Sequence, residues 1–456
     1  MEWLRHLVQI DKSEMLTIVC FYSKRIITNE MISQINVWGD CVNRLAYEIT
    51  FAALLIPLTF MSVGATDLNL GIFGNANMDD TIDELDVEYL QGIIEGTNDA
   101  TELADANYDG EIDEKDITQI EQIINGDEKE LIYLDCDGEP AKVHKPVEKI
   151  IVVYDNTAEI IRILGAQDRV VGVDDMIQEY PRYFPELSKL PCVGSRQDLD
   201  VEKILELDPD LIILGKSHTP DLEDKLEGTG IDAVRLCVYR DESPEHRLMR
   251  LGYILDEEEN AREYLDWQDE CLDMIGERTS GIPDDEKLRV FIDRPGGTTV
   301  STGSGYSEVV EMAGGINIGA DLIGGWEGVL PTVDPEWVIE QNPDIIVGIL
   351  LTGGGYETDD ESVMKARYDE ILETPGFDMI DAVINDRVYA THAILIYAPG
   401  PGYQIGVAYL AKLFYPELFS DLDPLAMHQE YIDRFQGIDY DVSEQGVFWY
   451  PRYEDW

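Results

Sequence analysis

Residues 75–96 and 105–126 repeat one another at an offset of 30, with ten of 22 positions identical, among them Asn77/Asn107, Asp79/Asp109, Asp83/Asp113, Asp86/Asp116 and Gly96/Gly126. So short a duplication constrains the chain strongly, because each copy supplies half of one small unit and neither can bury a core alone. Both copies place oxygen-bearing side chains at loop positions 1, 3, 5, 9 and 12. They are Asn75, Asn77, Asp79, Asp83 and Asp86, then Asp105, Asn107, Asp109, Asp113 and Asp116. Position 7 adds a backbone carbonyl, from Thr81 and Glu111. Calcium takes about six to eight hard oxygens, and a loop with this spacing wraps them around one ion. Two Ca2+ sites are therefore expected, and no catalytic cofactor. The sharp turn at position 6 falls on Gly110 in the second loop and on Asp80 in the first. The second loop also begins with a carboxylate where the first begins with an amide, so tighter binding is expected there. An apolar stripe follows each loop, Val87, Leu90, Ile93, Ile94 and Ile117, Ile120, Ile123, Ile124, predicting two short helices that stop at Gly96 and Gly126. Two such helices make little core, so the ion is expected to supply folding energy.

Loop, helix and duplication together resemble a dockerin, the module that docks onto a cohesin domain of another protein, and Asp at position 12 fits that family. The resemblance implies a cohesin-bearing surface protein as partner, held by helix faces around loop positions 10 and 11. Here those are Glu84-Leu85 and Glu114-Lys115, which differ from familiar pairs and leave the partner open. A calcium-stabilised spacer without a cohesin is the competing reading.

The chain as a whole is strongly acidic: 33 Lys and Arg against 93 Asp and Glu, a net −60. Such a surface repels phosphates and argues against nucleic acid as a partner. Ile49 to Ala65 is an apolar run preceded by Arg44 and closed by Val63-Gly64-Ala65, the three parts of a secretory signal. The reading is an exported protein at the cell surface or outside the cell, held there by an uncleaved signal or by docking. Residues 1–66 form the leader, and Met31 would be a better start than Met1. Six cysteines show no CxxC pair. For Cys136, Cys192, Cys237 and Cys271 isolated buried thiols are expected, with one or two bridges as the alternative.

Beyond the repeat (67–127) and a hairpin with an Asp137-Gly138 turn (128–147), helices and buried strands alternate. Thr157–Leu164, Leu199–Leu207, Tyr306–Ala313 and Pro335–Gln341 read as helices; Ile150–Val153, Arg169–Val173, Leu211–Leu214, Leu288–Ile292 and Ile345–Ile349 read as strands. That alternation predicts an α/β fold with parallel sheets. Asp256 to Arg278 has no breaker before Gly276 and reads as one helix of roughly 30 Å, with Ala261, Tyr264, Leu265, Gln268, Cys271, Leu272 and Ile275 on one face. An internal echo supports two similar lobes: Val201-Glu202-Lys203-Ile204 running to Asp208-Pro209-Asp210-Leu211 is answered by Pro335-Glu336-Trp337-Val338 running to Asn342-Pro343-Asp344-Ile345. The expected architecture is a small all-α duplicated domain, then an N-terminal lobe (148–255), a backbone helix (256–280) and a C-terminal lobe (281–456).

In the order of these motifs (147–174, 193–214, 303–317, 333–347 and Asp386-Arg387-Val388-Tyr389) the chain resembles the solute-binding proteins of ABC transporters for iron chelates and corrinoids. The resemblance implies two Rossmann-like lobes around a cleft, a metal chelate (iron–siderophore, haem) or corrinoid as ligand, and an ABC permease as partner. It assigns permease docking to Glu202 and Glu336. Candidate cleft residues in the strand-end loops are Arg196, His218, Arg240, Arg294, Tyr306, Trp326, Tyr356, His392, Tyr397 and Tyr403. Arg suits bidentate contact with carboxylate or phosphate, and aromatic rings give flat apolar walls. Gly402 departs from the family, many of whose members have a basic residue there. An enzyme is disfavoured, since GxSxG, HExxH and a Cys-His pair are all missing from the sequence. The alternative is a surface-assembly protein whose α/β region is cargo without a transport role.

Overall fold

The computed structural model describes residues 70–237, 243–398 and 400–453, which lie within one compact unit, Leu68–Trp456. The apolar run 49–65 and Arg240 fall outside the described residues. Among the described residues, no helix is long and apolar enough to cross a membrane.

The duplication folds as two loop–helix units, with α1 at Glu84–Glu95 and α2 at Glu114–Asn125. The same chemistry starts and stops both. Asp83 and Asp113 are N-caps, Asp86 and Asp116 complete reciprocal capping boxes, and Gly96 (φ 75°) and Gly126 (φ 67°) close the helices in the left-handed conformation. Leu90 and Ile120 from the two helices are fully buried. The sharp turn expected at position 6 forms in the second copy, where Gly110 has φ 91°. In the first copy Asp80 avoids positive φ; the left-handed residue common to both loops is position 4, Met78 and Tyr108.

The hairpin follows as β1 (Glu130–Leu134) against β2 (Pro140–His144), antiparallel. Residues 71–73 pair along its free edge, with the Phe73 amide donating to the Ile132 carbonyl and the Leu134 amide to the Gly71 carbonyl. Cys136, in the turn, forms a disulfide with Cys237, so the expectation of isolated buried thiols fails for this pair; Cys192 and Cys271 are free, and of these Cys271 is buried and Cys192 only partly so. The partners lie 101 residues apart in sequence, and only the docking of the hairpin onto the next sheet brings them together.

The N-terminal lobe holds four parallel strands: β3 (Ile150–Val152), β4 (Val170–Val173), β5 (Leu211–Gly215) and β6 (Asp232–Leu236), in the order β4-β3-β5-β6. Helix α3 (Asp155–Ile163) follows β3, and α4 (Val201–Leu207) precedes β5. Helix α5 (Pro244–Leu255) leads into α6 (Glu258–Thr279), 22 residues long, which packs against both α5 and a helix of the second lobe, Tyr403–Phe414. Its buried face holds Ala261, Tyr264, Gln268, Cys271 and Ile275 as the spacing predicts. Trp267 joins them in place of Leu265 and Leu272, because Tyr431 and Phe435 of the second lobe pack on its indole.

In the C-terminal lobe the strands are β7 (Arg289–Asp293), β8 (Ile316–Asn317), β9 (Ile345–Leu350), β10 (Val388–His392) and β11 (Trp449–Tyr450). Their order is β8-β7-β9-β10-β11, parallel except for the last pair. The sequence echo has a structural cause. Each helix of the pair, α4 and Pro335–Gln341, ends on a left-handed residue, Asp208 (φ 49°) or Asn342 (φ 44°). The Asp after the proline then fixes a neighbouring strand: the Asp210 carboxylate accepts from the Glu148 and Lys149 amides, and the Asp344 carboxylate from the Arg289 amide, each at 2.8 Å.

Candidate functional site

A cleft of about 370 Å³ opens between the two lobes, and the segments that line it follow the carboxyl ends of parallel strands, where open α/β sheets place their ligands. Tyr154, Asp155 and Asn156 come after β3; Met176, Tyr180, Tyr183 and Phe184 after β4. Across from them stand Arg294 after β7, Leu351, Gly354, Tyr356 and Glu357 after β9, His392 at the end of β10, and Ala393, Ile394 and Tyr397 after it. Ser304, Tyr306, Trp326, Val329 and Leu330 complete the wall.

The lobes touch beside this cleft as well as through α6. The Tyr183 and Tyr356 rings stack at 3.9 Å with their planes 4° apart. The Glu357 carboxylate accepts from the Arg182 and Tyr183 amides at 3.1 and 2.9 Å, and Arg182 pairs with Asp359 at 2.8 Å. Deeper in the seam, the Tyr431 hydroxyl donates to the Glu159 carboxylate at 2.7 Å. Burial pushes the Glu159 carboxyl up to about 7 and the cleft-lining Asp155 carboxyl up to about 6.

Two donors in the cleft wall have no acceptor in the protein: Asn156 Nδ2 and Arg294 Nε. The Arg294 guanidinium lies over the Tyr306 ring at 5.4 Å, and Trp326 remains half exposed at the mouth. His392 is held neutral, since burial lowers its pKa to about 4. Its Nδ1 accepts from the Ile394 amide in a long contact of 3.4 Å, an arrangement that turns Nε2 into the donor of the ring. Gly354 and Gly355 pack so close to this ring that a Cβ would lie 3.3 and 3.1 Å from it. Gly354 and Gly355 thus make room for His392.

Of the ten sequence candidates, Arg294, Tyr306, Trp326, Tyr356, His392 and Tyr397 line the cleft. Arg196 and His218 stand behind it. The Arg196 guanidinium lies 5.5 Å from the Tyr154 ring, and His218 packs edge-on against that ring with its pKa lowered to about 4, first by burial and then by Arg196 and Arg235. Tyr403 does not reach the cleft: it starts the helix Tyr403–Phe414, is buried, and its hydroxyl donates to Glu245 at 3.4 Å. The sequence reading missed the wall of the first lobe, Tyr154 to Asn156 and Tyr180 to Phe184. The signal for it was partial: the first stretch lies just after a buried strand, and the second is an aromatic run broken by Pro181 and Pro185. Glu202 and Glu336 are both exposed, each the second residue of its helix.

In both duplicated loops the position-12 aspartate, Asp86 or Asp116, is fully buried and accepts from loop amides. In the first, Asn75 is fully buried and its Oδ1 has no hydrogen-bond partner. Asp86, also fully buried, accepts from the Asn77 and Asp83 amides at 3.1 and 2.9 Å, and burial raises its pKa to about 6. In the second, Asp105 accepts from the Asp109 and Gly110 amides, while the Lys115 ammonium lies 2.7 Å from Asp109 and 3.3 Å from Asp113. Among the described residues no three His, Cys, Asp or Glu side chains are gathered as a metal group; these loops instead mix carboxylates with Asn amides and a backbone carbonyl. An orphaned buried carbonyl at position 1 is what a hard cation would satisfy, so the donor set fits calcium.

A family model described as periplasmic binding protein matches residues 150–395. The chain is 27% identical over 63% of its length to an uncharacterized ABC transporter substrate-binding lipoprotein, YvrC, of Bacillus subtilis, of which it covers 86%. It is 23% identical to the molybdate-binding protein MolA of Haemophilus influenzae, over 64% of this chain and 87% of that one. It is 27% identical to a vitamin B12-binding protein of Vibrio cholerae, over 56% and 85%. Among solved structures, the TroA-like periplasmic binding protein FepB of Veillonella parvula superposes with a TM-score of 0.57 at 24% identity, covering 70% of this chain and 98% of that one.

Proposed function

This chain belongs to the periplasmic binding protein family, and from that premise we propose that it is the extracytoplasmic substrate-binding protein of an ABC importer. It captures a metal chelate or a corrinoid between its lobes and presents it to the permease, with no chemistry performed. One observation carries the reading. A two-lobed cleft walled by aromatic rings keeps two N–H donors, Asn156 Nδ2 and Arg294 Nε, without acceptors. Buried donors left unpaired are costly, so the cleft suits a guest that brings oxygen acceptors together with flat apolar surface. Ferric chelates, haem and corrinoids all have both. Molybdate, which MolA is named for binding, would meet the donors but leave the aromatic walls without a partner.

Glu202 and Glu336 stand as two exposed anionic groups on matching helices of the two lobes, suited to orienting the protein on cationic groups of a permease. The duplicated loops take calcium, one ion each, through Asn75, Asn77, Asp79, Thr81, Asp83 and Asp86, and through Asp105, Asn107, Asp109, Glu111, Asp113 and Asp116. Lys115 neutralises part of the second site's field, which works against tighter binding there. The exposed pairs Glu84-Leu85 and Glu114-Lys115 leave the helix ends open to a cohesin on another surface protein.

The test is calorimetric titration of the full chain with haem, cobalamin, a ferric siderophore and molybdate. Stoichiometric binding of one of the first three, weakened roughly 100-fold by Arg294→Ala, is the expected result. Binding of molybdate alone, or of none, would remove the ligand assignment.

A further inference from the structure

The two copies of the duplication differ in what covers them. Ile82, at position 8 of the first loop, is only 4% exposed, whereas its counterpart Ile112 is half-buried; Asn75 is fully buried, and its counterpart Asp105 is not. The cover on the first loop is helix α5 of the N-terminal lobe. Tyr253 accepts from the Ile82 amide through its hydroxyl oxygen at 2.8 Å, and His246 Nε2 lies 3.0 Å from Asp80 Oδ1. The same hydroxyl accepts from Arg262 Nη2 of the long helix α6 at 3.0 Å.

The Ile82 N–H belongs to the same peptide group as the Thr81 carbonyl at position 7. That peptide is trans, so its carbonyl and N–H point in opposite directions. A cation held by the carbonyl polarises the group and strengthens the hydrogen bond its N–H gives to Tyr253. The orphaned, fully buried Asn75 Oδ1 is an independent sign that this loop awaits a cation. At its other end the module is tied to the same helix. The buried Lys145 ammonium joins Glu128, just past the second copy, to the Tyr253 carbonyl and to Asp256.

We propose that calcium in the first loop braces the ligand-binding unit, acting through the Thr81–Ile82 peptide and Tyr253 on the α5–α6 corner from which the long helix starts. The second loop, lacking this cover, binds its ion without bracing the lobes. The inference rests on the reading that the loops take calcium.

The test uses the full chain. Calorimetry counts calcium ions bound, and tryptophan fluorescence follows thermal unfolding. No tryptophan lies between residues 68 and 128, five of the seven fall at residues 267–456, and Trp3 and Trp38 are changed to Phe in every protein compared, so the melt reports the binding unit and not the module. Calcium is expected to raise that melting temperature by about 5 °C. Asp86→Asn should remove the shift, Asp116→Asn should leave most of it, and Tyr253→Phe should bind two ions yet lose at least half of it. A full shift in Tyr253→Phe, or an equal loss from Asp116→Asn, would overturn the brace while leaving calcium binding intact. Absence of any calcium heat would instead overturn the reading of the loops. Should Tyr253→Phe not fold, amide exchange in the unmodified chain decides: slower exchange across 244–262 on adding calcium supports the brace, and unchanged exchange overturns it.

Discussion

The two lobes share one backbone plan and differ in how their side chains are used. Each runs a seven-residue helix into Pro-Asp and a buried parallel strand, with the Asp carboxylate fixing a neighbouring chain segment. The N-terminal lobe is tied down from outside, by the Cys136–Cys237 disulfide, by the buried Lys145 cluster and by the first loop of the duplication. The C-terminal lobe has no such staples among its described residues and supplies twice as many of the residues that line the cleft, including its one arginine. Similar topology therefore leaves room for a division of labour: one half is a braced platform, and the other carries most of the groups that read the guest.

The largest way to break this contrast is to remove the staple. Closing a loop of about 100 residues contributes up to ~4.7 kcal/mol in the chain-entropy account. Replacing Cys136 and Cys237 with Ser is therefore expected to cost about 4 kcal/mol of folding stability in a denaturant titration while leaving ligand affinity within about twofold. Loss of affinity to match would show that the platform is also a reader. Next comes Arg294→Ala, which removes a charged donor from the cleft and should weaken capture roughly 100-fold, about 3 kcal/mol. Tyr180→Ala on the opposite wall should cost about tenfold or less. Equal losses would erase the asymmetry.

The seam between the lobes offers a smaller test. Burial raises the Glu159 carboxyl from 4.5 to about 7, so between those values the folded chain holds a proton that the unfolded chain has released. Its contribution to stability is fully present below pH 4.5 and is lost as pH rises through 7. Glu159→Gln should flatten this part of the stability profile by about 2 kcal/mol, read as the difference between the two pH curves because Asp155, Asp174 and Asp293 are raised in the same direction. Smallest of all, Glu357→Gln weakens two amide contacts across the seam and should cost about 1 kcal/mol of stability.

How much of this was legible in the sequence depended on whether the information was local. Pro335–Gln341 forms as predicted, because proline at the first helical position, a left-handed Asn342 and a run of branched apolar residues are each local signals. The duplicated helices were readable for the same reason, since Asp83 and Asp113 cap them and Gly96 and Gly126 end them. Contacts set by tertiary packing were not. Nothing near Cys136 points to Cys237, and nothing near Tyr403 says that it turns to Glu245 instead of the cleft. Tyr180 to Phe184 lie beyond a short helix, Asp175–Gln178, that follows β4, so their distance in sequence from the strand end hides a wall that folding returns to the cleft.

A crystal structure of the full chain with its captured guest tests the central claim most directly. The account predicts one molecule between the lobes, within hydrogen-bond reach of Arg294 and Asn156 and against the Trp326 and Tyr180 rings, so that both halves touch it. A guest seated on one lobe alone, or outside this cleft, would contradict it.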